Sequence, residues 1–175
     1  RAIADASTKI YEESGDWPRA QIMIPMVGFI SEMIQLRKNV ETILKDRHVS
    51  GVPIGMMIEL PRTCVVAEEM TQAADFFSFG TNDLTQTTLG FSRDDAENAF
   101  MKQYTDDGIL LSNPFETLDV SGVGKLINMA VDSVESSGHK MSFGACGEHG
   151  GDPASIKFFH AAGLDYVWCS AFRIP

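Results

Sequence analysis

Short, nearly continuous apolar runs alternate along this chain with longer segments in which apolar residues recur every three or four positions. The short runs, residues 21–27, 54–60, 76–80, 141–146 and 165–169, have the length and composition of buried strands. Between them, residues 29–46 carry Ile30, Met33, Ile34, Val40 and Leu44 at helical spacing. Further helices are predicted over 62–74, 123–136 and 154–162. Asp152 stands as the N-cap of the last, with Pro153 at its first helical position. Residues 1–14 read as a helix already under way.

Near-continuously apolar strands joined through helices mean βα units and a parallel sheet. The predicted class is therefore α/β. Polar residues gather at the C-terminal ends of the strands: Glu59, then Thr81-Asn82-Asp83, then Cys146-Gly147-Glu148-His149. In (β/α)8 barrels and open α/β sheets alike, that edge carries the chemistry. Five predicted strands leave an eight-stranded barrel three short, so a barrel reading places the missing strands before Arg1; an open sheet is the alternative. The stretch 91–114 has weak periodicity and reads as an elaborated loop or lid. A first residue that is not Met, and a close directly after a strand-like run, suggest an internal segment of a longer polypeptide.

Composition narrows the function classes. With 44% hydrophobic and 22% charged residues, 175 residues suffice for one substantial core. The net charge of −10, with no basic cluster longer than a pair, argues against nucleic acid as a partner. No apolar run reaches the roughly 18 residues of a membrane-spanning helix, so no membrane role is expected. Cys64, Cys146 and Cys169 lack metal-type spacing, and an odd number of cysteines suits a reducing compartment.

Glu59 and Asp83 each follow a buried run and would point into the same mouth of a parallel barrel. Two such carboxylates suit a hard divalent ion that takes its other ligands from water and substrate. Plainer readings stand beside this: Glu59 capping the helix after Pro61, and Asp83 as the N-cap of the next helix. Gly80, Thr81 and Asn82 offer backbone N–H groups to a phosphate or carboxylate, though turn chemistry explains a Gly and an Asn equally well. Arg93 lies beyond that helix, where it could swing over an anion. Cys146, flanked by small residues at a strand end, suits a general acid or base if its surroundings tune it toward neutrality, with Glu148 and His149 near enough to orient it. His48, His139 and His160 read as loop or helix-surface residues.

The stretches IMIPMV, GMMIELPR, FFSFGTNDLTQTTLGFSRDDA and CGEHGGDP, in that order, resemble the phosphoenolpyruvate-utilising enzymes over nearly the whole chain. The resemblance implies the C-terminal portion, about five βα units, of a (β/α)8 TIM-type barrel that binds phosphoenolpyruvate or pyruvate. It implies Mg²⁺ held by Glu59 and Asp83. It also implies a substrate pocket lined by Glu59, Gly80, Thr81, Asn82 and Asp83, with Arg93 at the phosphoryl or carboxylate end. Cys146 would then give a proton to C3 of the enolate. The partners so implied are a phosphohistidine domain and a nucleotide-binding domain of the longer chain, and a second copy in a homodimer. A cytoplasmic or, in some eukaryotes, organellar location follows. The isolated 175 residues are expected to be inactive, marginally folded and prone to associate through exposed sheet edges. A non-catalytic half-barrel used for binding or dimerisation is the rival reading, against which the joint presence of Glu59, Asn82, Asp83 and Cys146 speaks.

Overall fold

The computed structural model describes residues 1–174. In chain order it contains α1 (Ala2–Ser14), β1 (Ile22–Ile24), α2 (Ile30–Asp46), β2 (Ile54–Ile58), α3 (Pro61–Val65), α4 (Ala67–Met70), β3 (Phe76–Gly80), α5 (Thr81–Leu89), α6 (Arg93–Ala99), α7 (Met101–Asp106), α8 (Val123–Ser136), β4 (Ser142–Cys146), a 3₁₀ turn (Glu148–Gly151), α9 (Pro153–Ala161) and β5 (Tyr166–Val167). A second 3₁₀ turn covers Ala171–Arg173. Among the described residues no helix is long and apolar enough to cross a membrane.

The strands form one parallel sheet in the order β1-β2-β3-β4-β5. Each strand lies beside its predecessor and the order never reverses. A doubly wound open sheet reverses at a switch point; this winding is that of consecutive units of a (β/α)8 barrel, and it removes the open-sheet alternative.

Successive side chains on a strand point to opposite faces. On the helix-facing side stand Met56 and Ile58, Phe77 and Phe79, Phe143 and Ala145, all buried. They pack with Ile127, Val131 and Val134 of α8 and Met70 of α4 in one core. Burying a side chain of this size contributes about 1.5–3 kcal/mol. The opposite face carries smaller and more polar residues, and it is the one that carries the site.

Several boundaries differ from the sequence reading. β1 stops at Ile24 because Pro25 has no N–H for the ladder, and Met26 then turns into a left-handed conformation at φ 55°. The helix expected over 62–74 is broken at Val66 (φ −110°, ψ 25°), where two adjacent β-branched residues crowd the helical turn. The loop expected over 91–114 contains α6 and α7, packed on a satellite core of Ala96, Met101 and Phe115. Helices of 7 and 6 residues are too short for their period to register. Asp152 caps α9 as expected, its Oδ2 accepting from Ser155 N at 2.9 Å.

Candidate functional site

Strand register lines up the inner face in rows. Met57 is level with Ser78, Ser78 with Gly144, and Gly144 with Tyr166. The next row, at the C-terminal edge, pairs Gly80 with Cys146. Glu59 follows Ile58, the partner of Phe79, and so enters that row beside Gly80. Gly80 and Cys146, far apart in the chain, thus become neighbours through parallel pairing alone.

Glu59 is 3% exposed, and its Oε1 accepts a hydrogen bond from Met26 N at 2.6 Å. It does not cap the helix that follows; Leu60 occupies that position. Burial, and then the nearby carboxylate of Asp83, raise the Glu59 pKa against the opposing Met26 hydrogen bond. Nor is Asp83 an N-cap: α5 begins at Thr81, with Gly80 at the cap and no side-chain cap bond. Asp83 falls in the first turn of α5 and its Oδ1 accepts from Gln86 Nε2 at 3.2 Å. The Thr87 hydroxyl lies 3.1 Å from the Glu59 carbonyl and 2.7 Å from that of Asp83, tying the end of β2 to α5.

Neither carboxylate forms an ion pair among the described residues. The buried Glu59 carboxylate and that of Asp83 lie near enough to interact. That arrangement fits a divalent cation. No group of three or more His, Cys, Asp or Glu gathers there among the described residues, so an ion held by Glu59 and Asp83 would draw its remaining ligands from substrate and water, as Mg²⁺ commonly does.

Cys146 ends β4 and is half-buried, beside a cleft of about 550 Å³ whose lining includes Met57, Tyr166 and Trp168. Its Sγ lies 3.7 Å from Ser78 Oγ and 3.6 Å from the Phe79 carbonyl. Burial raises its pKa, the Ser78 hydroxyl partly offsets this, and the charges of Glu59 and Asp83 raise it further. The environment therefore keeps the thiol protonated, the state of a proton donor, and does not by itself tune it toward neutrality. Glu148 and His149 do not reach the thiol, contrary to the sequence expectation. Glu148 pairs with Arg173 at 3.4 Å, and His149 is turned toward Thr81 and Pro114.

The first turn of α5 holds Thr81 and Asn82 in place. Thr81 Oγ1 lies 2.8 Å from the Cys146 carbonyl, and Asn82 Oδ1 accepts from Glu148 N at 3.0 Å. Arg93 opens α6; its backbone N donates to Gln86 Oε1 at 2.8 Å, so Gln86 links Asp83 to the α6–α7 excursion. The Arg93 guanidinium pairs with Glu97 at 3.2 Å and lies 5.9 Å from the Phe115 ring centre, on the excursion side of the site.

Four contributors escaped the sequence reading. Ser78 is a lone hydroxyl inside an apolar strand, a signal that was legible. Tyr166, whose phenol faces Ser78 and Cys146, Met26, which anchors Glu59 through its backbone, and Gln86 carry no local signature.

Fold and site together define a class: a barrel-type α/β domain with two neighbouring carboxylates and a half-buried thiol at the C-terminal strand edge. The chain belongs to the PEP-utilising enzymes, whose PEP-binding domain matches residues 1–175. It is 46% identical to a pyruvate, phosphate dikinase of Rhizobium meliloti (strain 1021), covering all of this chain and 20% of the relative. It is 44% identical to pyruvate, phosphate dikinase 1, chloroplastic, of Arabidopsis thaliana, covering 100% of this chain and 18% of that protein. The chain thus spans about a fifth of the length of the curated relatives it matches. A citrate lyase from Burkholderia xenovorans LB400 shares the fold at TM-score 0.56 and 13% identity, over 94% of this chain and 49% of that structure.

Proposed function

We propose that this chain is the C-terminal part of the phosphoenolpyruvate/pyruvate-binding barrel domain of a pyruvate, phosphate dikinase. The observation that carries the reading is the Cys146 thiol in one row with Glu59, beside Gly80 at the C-terminal strand edge. Glu59 and Asp83 would hold Mg²⁺, which when bound supplies Lewis-acid stabilisation of negative charge on substrate oxygens.

The chain's own residues then act as follows. Towards pyruvate, Cys146 Sγ–H gives its proton to C3 of the enolate; towards phosphoenolpyruvate, the thiolate so formed takes a proton from the pyruvate methyl at C3. The enolate oxygen attacks the phosphorus of a phosphohistidine on another domain; the P–O bond forms as the P–N bond breaks, leaving a neutral histidine. The uncapped N–H groups at the start of α5, over Gly80 to Asp83, bind a carboxylate or phosphoryl oxygen. Arg93 serves the anionic end of the substrate from the excursion side. The phosphohistidine domain and a nucleotide-binding domain are the partners within the longer chain, the assembly is a homodimer, and the compartment is a reducing one, cytoplasmic or organellar.

The test is exchange of the pyruvate C3 protons with solvent deuterium by the full-length protein in the presence of Mg²⁺. Cys146→Ala should lower that exchange by about 10²–10⁴-fold; unchanged exchange would remove Cys146 from the chemistry. Phosphoenolpyruvate synthase shares this half-reaction. Phosphate-dependent consumption of ATP by the full-length protein separates the two, its absence favouring the synthase.

A further inference from the structure

His149 is fully buried, yet the chemistry above gives it no task. Its Nε2 lies 2.8 Å from the Pro114 carbonyl oxygen. A carbonyl can only accept, so Nε2 carries the ring proton. In the uncharged ring, which burial favours, Nδ1 is an acceptor, and it lies 2.8 Å from Thr81 Oγ1. The same Thr81 oxygen lies 2.8 Å from the carbonyl of Cys146. Its single proton faces two acceptors, each 2.8 Å away, and a three-centre bond shared between them holds the oxygen between the end of β4 and the 3₁₀ turn.

The surroundings leave that oxygen little freedom. Thr81 is itself fully buried. Gly147, at φ 112°, brings its backbone so close that a Cβ there would stand 2.7 Å from Thr81 Oγ1 and 2.8 Å from Asn82 Oδ1. A Leu or Phe would fill the space of the imidazole equally well. Filling space does not require two ring nitrogens each facing a partner, one at the first turn of α5 and one at the far end of the α6–α7 excursion.

We propose that His149 is a positioning residue for Cys146: through Nδ1 it holds Thr81 against the Cys146 backbone, and through Nε2 it ties that assembly to Pro114. One ring thereby sets the placement of the thiol relative to Asp83 and the seating of the excursion. The inference rests on the reading of Cys146 as the acid of the site.

Two replacements in the full-length protein separate the two arms. In His149→Asn the amide oxygen takes the place of Nδ1 and still accepts from Thr81, while Pro114 is released. In His149→Gln the amide nitrogen takes the place of Nε2 and still serves Pro114, while Thr81 is released. For pyruvate C3-proton exchange, His149→Gln should lower kcat roughly 10- to 100-fold with KM changed less than about threefold, and His149→Asn should retain kcat within about threefold. Equal losses in both, or losses that merely follow a fall in melting temperature, would overturn the proposal.

A second readout needs no activity. The rate of Cys146 alkylation by iodoacetamide without substrate should change in His149→Gln and stay at the wild-type value in His149→Asn; identical rates in both variants would sink the idea. If the wild type exchanges no C3 proton, the reading of Cys146 fails, and the alkylation contrast still decides whether His149 governs the thiol. Should neither variant fold, Thr81→Val carries the test: a fall in kcat like that expected for His149→Gln supports the proposal, and an unchanged kcat overturns it.

Discussion

A Cβ placed on Gly80 would stand 2.7 Å from Oε2 of Glu59. It would also stand 2.7 Å from Sδ of Met57. The glycine is therefore the gap into which the buried carboxylate leans, and the adjacent register of β2 and β3 makes the gap face the site. Gly80→Ala should displace Glu59 and weaken divalent-ion binding about 10- to 100-fold, as disturbing the support of a metal ligand does. A Mn²⁺ titration of the full-length protein reads this. Wild-type affinity in the variant would take Glu59 out of the metal site.

Asp152 follows the turn that bears His149 and caps α9. Burial raises its pKa, but hydrogen bonds from the Ser155 hydroxyl, Ser155 N and Ala154 N outweigh this and hold it below the usual carboxylate range. A depressed folded-state value means a stabilising contribution that is present above the unfolded pKa and lost as pH falls through the folded one. Asp152→Ala should lower stability by about 1 kcal/mol at neutral pH, and the difference from wild type should shrink below about pH 4. Urea denaturation across the acid range checks both the size and the sign.

At the opposite edge of the sheet, Asp75 accepts from Ile54 N at 2.7 Å and pairs with two nitrogens of Arg37, each at 3.1 Å. This clamp joins the starts of β2 and β3, away from the carboxylates. Asp75→Ala should destabilise by about 1–2 kcal/mol, most of it from the Ile54 N–H left unpaired, because the exposed ion pair itself adds little. Divalent-ion affinity measured below the unfolding transition should remain that of the wild type. A loss of affinity there would mean that the two edges are coupled.

Cys64 and Cys146 should differ in reactivity. Burial pushes the Cys64 thiol up to about 12 and leaves no surface for a reagent, while Cys146 is half-buried beside an open cleft. Iodoacetamide on the native protein, followed by peptide mass mapping, should modify Cys146 and spare Cys64 until the protein is unfolded. Labelling of Cys64 at the rate of Cys146 would show that the α3 side of the core opens.

The sequence made the strand-end residues legible because each is announced locally. Glu59, Asp83 and Cys146 are polar or reactive groups placed at or shortly after the ends of apolar runs, and period-two and period-3.6 patterns locate such runs without any tertiary knowledge. The same local logic located β3 and α8, whose predicted bounds match the observed ones, and the Asp152 cap. It failed at α6 and α7, which span fewer than two turns each and are held by aromatic contacts such as Phe91 with Phe100, 5.4 Å between ring centres. It failed again at Val66, where the adjacent β-branched Val65 and Val66 break a helix that the apolar period runs straight through.

By itself, then, the sequence determined an α/β chain with parallel strands and the side chains that stand at their C-terminal edge. Tertiary structure alone decided which of them meet. Parallel register puts Gly80 opposite Cys146, a left-handed Met26 turns its N–H onto Glu59, and His149 faces Thr81 instead of the thiol. The physical reason is distance along the chain. Periodicity reports which face a residue occupies within its own element, whereas the neighbours across a sheet are fixed by hydrogen-bond register between strands dozens of residues apart.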